Sequence, residues 1–238
     1  MSQPGIQAQP VVAGIPVINN LAWAGNYAVN LDQYEAITQS LYDSAAYATT
    51  GQQQLTFFQQ AAGSGTGVIS GNPKTQEDTN MTAAGAMPNM QAFVVTSIEV
   101  EFQPDITFTA ATMPAAFGAQ AVATAVNDAW KFRATGYLVF TIGSKPYLTE
   151  GPMMKFPASN DFEIDAAVAD VSTTGAALQT RIAYGKAVGP SYMLAPNNLL
   201  LIPMQNFVVT LNWATLETIT TEARVFVRLM GQLIRSAQ

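Results

Sequence analysis

Apolar and polar residues alternate with a period of two through much of this chain of 238 residues, and that alternation predicts its architecture. Over residues 95–102, Ile98, Val100 and Phe102 share one face while Glu99 and Glu101 take the other, the pattern of a half-buried strand. Over 207–213, Phe207, Val209, Leu211 and Trp213 alternate with Val208, Thr210 and Asn212. Over 222–229, Val225, Val227 and Leu229 lie opposite Glu222, Arg224, Phe226 and Arg228. Further strands are predicted at 53–59, at 132–142 before the turn Gly143-Ser144-Lys145-Pro146, and at 147–149, 162–171, 181–188 and 199–203. Two short helices are predicted. One covers 30–41, with Asn30 as cap, Gln33 in capping-box spacing, and Leu31, Tyr34, Ile37 and Leu41 as its stripe. The other covers 114–130, starting from Pro114 and rich in alanine.

Residues 1–30 differ in kind. They are uncharged and rich in Gly, Pro and Asn, with Val11, Val12, Ile15, Val17, Ile18, Leu21 and Trp23 scattered without period. A disordered tail is usually charged and poor in aromatic and β-branched residues. The segment is therefore expected to be an extended arm that orders against its own core or against a neighbouring subunit, with these apolar residues as its contacts.

The strand list has no βαβ rhythm and no internal repeat, which excludes a doubly wound parallel sheet and predicts an all-β antiparallel sandwich with jelly-roll wiring. Two stacked jelly rolls would need about sixteen strands, and the long connections at 61–91 and 104–131 leave no room for them. The expected organisation is residues 1–50 as an extended N-terminal arm with a short helix, and residues 51–238 as a single jelly-roll domain.

Composition narrows the function. The chain has no histidine and no cysteine, and only 11% of its residues are charged, against about one quarter in an ordinary soluble domain. The usual acid, base and nucleophile near neutral pH are absent, so no enzyme is expected. The missing charges are replaced by uncharged polar and small residues, which predicts a surface that other proteins can cover. Net charge is −6 and the first basic residue is Lys74, so no basic arm is present to grip a genome. Residues 1–30 lack the positive start of a secretory signal. The charge-free stretches 11–29 and 106–127 are broken by Pro16, Asn19 and Asn20 and by Pro114 and Gly118, so neither reads as a membrane span, and a soluble protein is expected.

Few residues suggest chemistry. In an extended strand Asp161, Glu163 and Asp165 would point the same way, with Asp170 not far beyond, and three carboxylates could hold structural Ca²⁺. The spacing lacks the Gly and distal Glu of a calcium loop, and a solvated acidic face is the simpler reading. No other cofactor is expected. Glu99 and Glu101, about 6.5–7 Å apart on one strand, overlap the inverting glycosidase range, yet simple alternation accounts for both. Gly63-Ser64-Gly65-Thr66-Gly67 and the following Gly71-Asn72-Pro73-Lys74-Thr75 miss both nucleotide-loop spacings and read as a flexible surface loop. Asn80-Met81-Thr82 is a formal glycosylation sequon without a signal peptide to give it meaning. Phe57, Phe58, Tyr137, Phe140 and Trp213 read as core, since a base-stacking platform would want basic residues among them.

The run Gly51-Gln-Gln-Gln-Leu-Thr-Phe-Phe58, the loop Lys74-Thr-Gln-Glu-Asp-Thr-Asn-Met81, the strand from Phe93 to Phe102 and the stretch Leu199-Leu-Leu-Ile-Pro-Met-Gln-Asn-Phe207 together resemble the jelly-roll major capsid proteins of small tailless icosahedral bacteriophages, of the corticovirus type and its relatives. The resemblance spans about residue 51 to the C-terminus. Corticovirus-type proteins carry two jelly rolls, whereas these strands support one. The resemblance implies a virion protein, assembled in the host cytoplasm into a homo-oligomeric shell. Minor capsid or spike proteins and an internal membrane would be its partners, without strong direct nucleic-acid binding. The alternative is a receptor- or carbohydrate-binding jelly-roll spike or fibre head, for which the loops at 160–165 and 192–198 could serve.

Overall fold

The computed structural model describes residues 34–68, 72–103, 119–158, 162–167, 180–184, 191–220 and 222–236. Val11, Val12, Ile15, Val17, Ile18, Leu21 and Trp23 of the expected arm lie outside the described residues.

The fold is an all-β antiparallel sandwich. In chain order its strands are β1 (Tyr34–Tyr47), β2 (Gln54–Phe57), β3 (Gln91–Gln103), β4 (Tyr137–Ile142), β5 (Lys145–Glu150), β6 (Phe162–Ala167), β7 (Thr180–Tyr184), β8 (Tyr192–Met193), β9 (Leu199–Leu201), β10 (Phe207–Asn212) and β11 (Ala223–Ser236). One sheet runs β1-β11-β3, with β8 and β9 sharing the far edge of β3. The other runs β2-β10-β4-β5, and among the described residues β6 pairs only with β7. The first and last strands are thus neighbours in one sheet, and the second and the last but one are neighbours in the other. This is jelly-roll-like wiring, in which the chain crosses repeatedly between sheets. Among the described residues the only α-helix is α1 (Ala119–Ala134), and none is long and apolar enough to cross a membrane.

The core lies between the sheets. From β10, Phe207, Val209 and Leu211 point inward against Leu138, Phe140 and Ile142 of β4 and Leu55 and Phe57 of β2. From the other side come Phe93, Val95, Ile98, Val100 and Phe102 of β3 and Val225, Val227 and Leu229 of β11. At one end α1 delivers Phe132 into an aromatic cluster, with its ring 4.8 Å from Phe102, 5.3 Å from Trp213 and 5.8 Å from Tyr47.

Several expectations are corrected. The helix expected over 30–41 is strand from Tyr34 on, because β1 pairs with β11 along its whole length from Tyr34↔Ser236 to Tyr47↔Ala223. Ile37, Leu41, Ala45 and Tyr47 fit a two-residue period as well as any helical one, and the partner strand decides between them. It follows that β1 belongs to the sandwich and not to a separate arm ending at residue 50. The strand expected over 132–142 begins only at Tyr137, since α1 runs on to Ala134 and Gly136, at φ +79°, makes the turn. A Cβ there would lie 2.6 Å from Trp213 Nε1, so only glycine fits. Strand β11 continues to Ser236 past a register shift at Met230/Gly231.

Candidate assembly surface

Three outward rows of the four-stranded sheet are uncharged, the charges of its edge strand β5, Lys145 and Glu150, lying in register with the inward-facing Ile142 and Leu138. Reading across the register, Gln54, Asn212 and Tyr137 form one row, Thr56, Thr210, Val139 and Thr149 the next, and Val208, Thr141 and Pro146 a third. Alternation forces this composition outward, because the intervening positions are filled by the core residues of the same strands. Asn212 donates to Thr210 Oγ1 at 3.0 Å and accepts from Gln54 Nε2 at 2.9 Å, so the polar groups partly satisfy one another along the face. Tyr137, read from sequence as core, stands on this face and is 43% exposed. It begins β4 on the outward phase, opposite Asn212.

The outward face of the five-stranded sheet is its opposite. Arg224, Phe226 and Arg228 follow one another on β11, as their alternation predicts, with both guanidinium groups over the Phe226 ring at 4.3 and 5.0 Å. Arg228 pairs with Glu101, whose other oxygen accepts Gln103 Nε2 at 2.7 Å. Glu99 and Glu101 do not form the exposed face of a half-buried strand, as alternation suggested. They are 3% and 4% exposed, and Glu101 is held there by Arg228 and Gln103. Glu101 is thus committed to an arginine of the neighbouring strand.

A buried charge network joins the 72–81 segment to the edge strand β1. Lys74 Nζ lies 2.6 Å from Asp43 Oδ1 and donates to the Ser44 carbonyl at 2.8 Å. Asp43 Oδ2 accepts the Phe58 amide, which ties β1 to the end of β2. Asp78 accepts from Ser44 Oγ at 3.2 Å, from the Thr75 and Val68 amides, and from Arg224 at 3.0 Å. Asn80 accepts the Tyr42 amide at 2.9 Å and donates to the Ser40 carbonyl at 2.7 Å, occupying β1 edge groups that no strand pairs. The segment read from sequence as a flexible surface loop is therefore anchored by Lys74 and Asp78, and it shields an edge. Burial raises the Asp43 carboxyl above its ordinary range, with the Lys74 charge and hydrogen bond opposing. At Asp78 burial also works upward, but the Thr75 and Val68 amides, the Arg224 charge and the Ser44 hydroxyl outweigh it and hold the carboxyl below its ordinary value.

The remaining sequence candidates fare as follows. Asp161 lies outside the described residues, as does Asp170. Glu163 and Asp165 are in β6, where the register shifts between Ile164 and Ala166. Among the described residues no cluster of carboxylates has the grouping of a metal site. Phe57, Phe58, Phe140 and Trp213 are core. Sequence reasoning missed Asp43, Lys74 and Asp78 as a unit. The signal available was scarcity: Asp32, Glu35 and Asp43 are the only charges before Lys74, and in so neutral a chain each charge needs a reason. Compared with known proteins, the chain matches no family model, no curated protein and no solved structure.

Proposed function

We propose that this chain is a structural virion protein, the major capsid subunit of an icosahedral shell around a phage genome. The observation that carries the reading is the uncharged outer face of the β2-β10-β4-β5 sheet on a chain of net charge −6. Copies of an acidic protein repel each other, and burying unpaired charge in a contact is costly. A face of Thr, Asn, Gln, Val and Tyr avoids both penalties and can be covered by a neighbour in contacts of about 1,600 Å² each. The charges on the opposite sheet are paired within the subunit, which suits a building block whose internal bonds are complete before assembly. Its partners are copies of itself, with minor capsid or spike proteins and an internal membrane as further neighbours. The genome is enclosed without strong direct contact, since the chain lacks a basic segment.

Light scattering followed by negative-stain electron microscopy of the purified protein tests this. Closed particles or extended sheets are expected, and removal of residues 1–30 should abolish them while leaving the sandwich folded. A small oligomer that does not enlarge with salt or divalent cation, and that the deletion leaves unchanged, refutes the shell and turns the reading to a spike or fibre head.

A further inference from the structure

Lys74 and Asp43 meet in a setting unlike that of an ordinary surface ion pair. Both side chains are almost wholly out of water, at 6% and 1% exposure. The nitrogen is aimed by two acceptors, Asp43 Oδ1 at 2.6 Å and the Ser44 carbonyl at 2.8 Å. The second carboxyl oxygen, Oδ2, receives the Phe58 amide at 2.6 Å. Phe58 holds that amide in place with φ at 68°, a conformation uncommon outside glycine. A backbone N–H on one oxygen and an amine nitrogen against the other is an arrangement that activates an acyl carbon toward a nucleophile. We propose that Lys74 and Asp43 condense spontaneously into an isopeptide bond that covalently fastens the 72–81 segment to β1.

The step needs no cofactor. Lys74 passes one proton to Asp43 Oδ1 along their hydrogen bond, which leaves a neutral amine and a neutral acid. The interior lowers the cost of this transfer, because charge is poorly solvated there. Nζ then adds to Cγ, and the negative charge that develops on Oδ2 is met by the Phe58 N–H. Collapse expels Oδ1 as water, which carries off the second proton from nitrogen. One C–N bond forms, one C–O bond breaks, and two opposite charges disappear. Oδ2 remains as the amide carbonyl and keeps its bond from Phe58. The pair borders a cavity of about 310 Å³, also lined by Ser44, Thr66 and Val68, through which the water can leave. The upward displacement of the Asp43 carboxyl by burial acts in the same direction, since it favours the acid form.

Intact-mass spectrometry of the denatured wild-type chain decides the matter. The expected mass, after allowance for removal of Met1, is that of the sequence less one water. Lys74 is the first basic residue and Lys131 the next, so blocked cleavage at Lys74 should leave one looped tryptic peptide ending at Lys131 and lighter by one water, which chymotryptic cleavage after Phe57 or Phe58 opens into a branched pair joining the Asp43 and Lys74 segments. Lys74→Arg keeps the positive charge, and Asp43→Ala removes the acyl carbon; both are expected at full sequence mass. A wild-type chain that melts cooperatively yet has its full sequence mass overturns the proposal, whatever the variants do. A missing water that maps to any other pair of residues overturns it equally.

Discussion

Arg224 and Asp78 lie 146 positions apart and meet at 3.0 Å, both at less than a tenth exposure, so the start of the last strand is keyed to the loop that covers the first. Breaking a buried pair from one side leaves an uncompensated charge, and the cost exceeds what the pair contributes net. Asp78→Ala also strands Ser44 and the amides of Thr75 and Val68. Urea denaturation should show a loss of about 3–5 kcal/mol. Arg224→Met on top of it should restore part of that loss; strict additivity in the double mutant would refute the coupling.

The same carboxyl predicts a pH dependence. Its folded-state pKa lies below the ordinary value, so its contribution is complete above that value and is lost as pH falls through the folded one. Stability should therefore decline on acidification below about pH 4, and Asp78→Asn should flatten that decline. Melting curves recorded from pH 5 downward for both proteins check this, and parallel acid limbs would count against it.

Gly231 is buried at the register shift of β11, where an added Cβ would sit 1.8 Å from the Val94 carbonyl oxygen. Backbone cannot yield as a flexible side-chain tip can. Gly231→Ala is expected to cost at least the ~1–3 kcal/mol typical of overpacking, read as a lowered midpoint of thermal or urea unfolding. A neutral substitution would mean that β11 slides past β3 without penalty.

Phe132 joins α1 to the sandwich through Phe102, Trp213 and Tyr47. Removing its ring should cost about 3–5 kcal/mol, and near-ultraviolet circular dichroism should lose the signal of the packed Trp213. An unchanged spectrum would detach the helix from the core.

Thr210 stands in the middle of the uncharged face, between Thr56 and Val139. Thr210→Glu places a negative charge there in a chain already at −6. Folding stability should move by no more than about 0.5 kcal/mol, while particles or sheets should fail to form in light scattering. Full assembly by this variant would remove the face from the proposed contact.

The sandwich was legible in the sequence where inward apolar residues recur at every second position. Phe207, Val209 and Leu211 on β10 with Trp213 just beyond it, and Val225, Val227 and Leu229 on β11, read correctly because alternation is local chemistry written residue by residue. The outward companions of β10 could be read the same way, and with them the uncharged face. The dependence of function on that face could not, since a surface without charge has no motif. What required the tertiary structure was every decision made by a distant partner. Residues 34–41 satisfy helical and strand periods alike, and only pairing with residues 229–236 makes them strand. Glu99 and Glu101 look exposed by alternation and are buried, Glu101 against Arg228 of the neighbouring strand β11. Lys74 and Asp43, 31 positions apart, carry no spacing that announces their contact. Periodicity records which face of an element avoids water, whereas the long-range pairing that selects among equal periods, and that brings scarce charges together out of water, exists only once the chain has closed on itself.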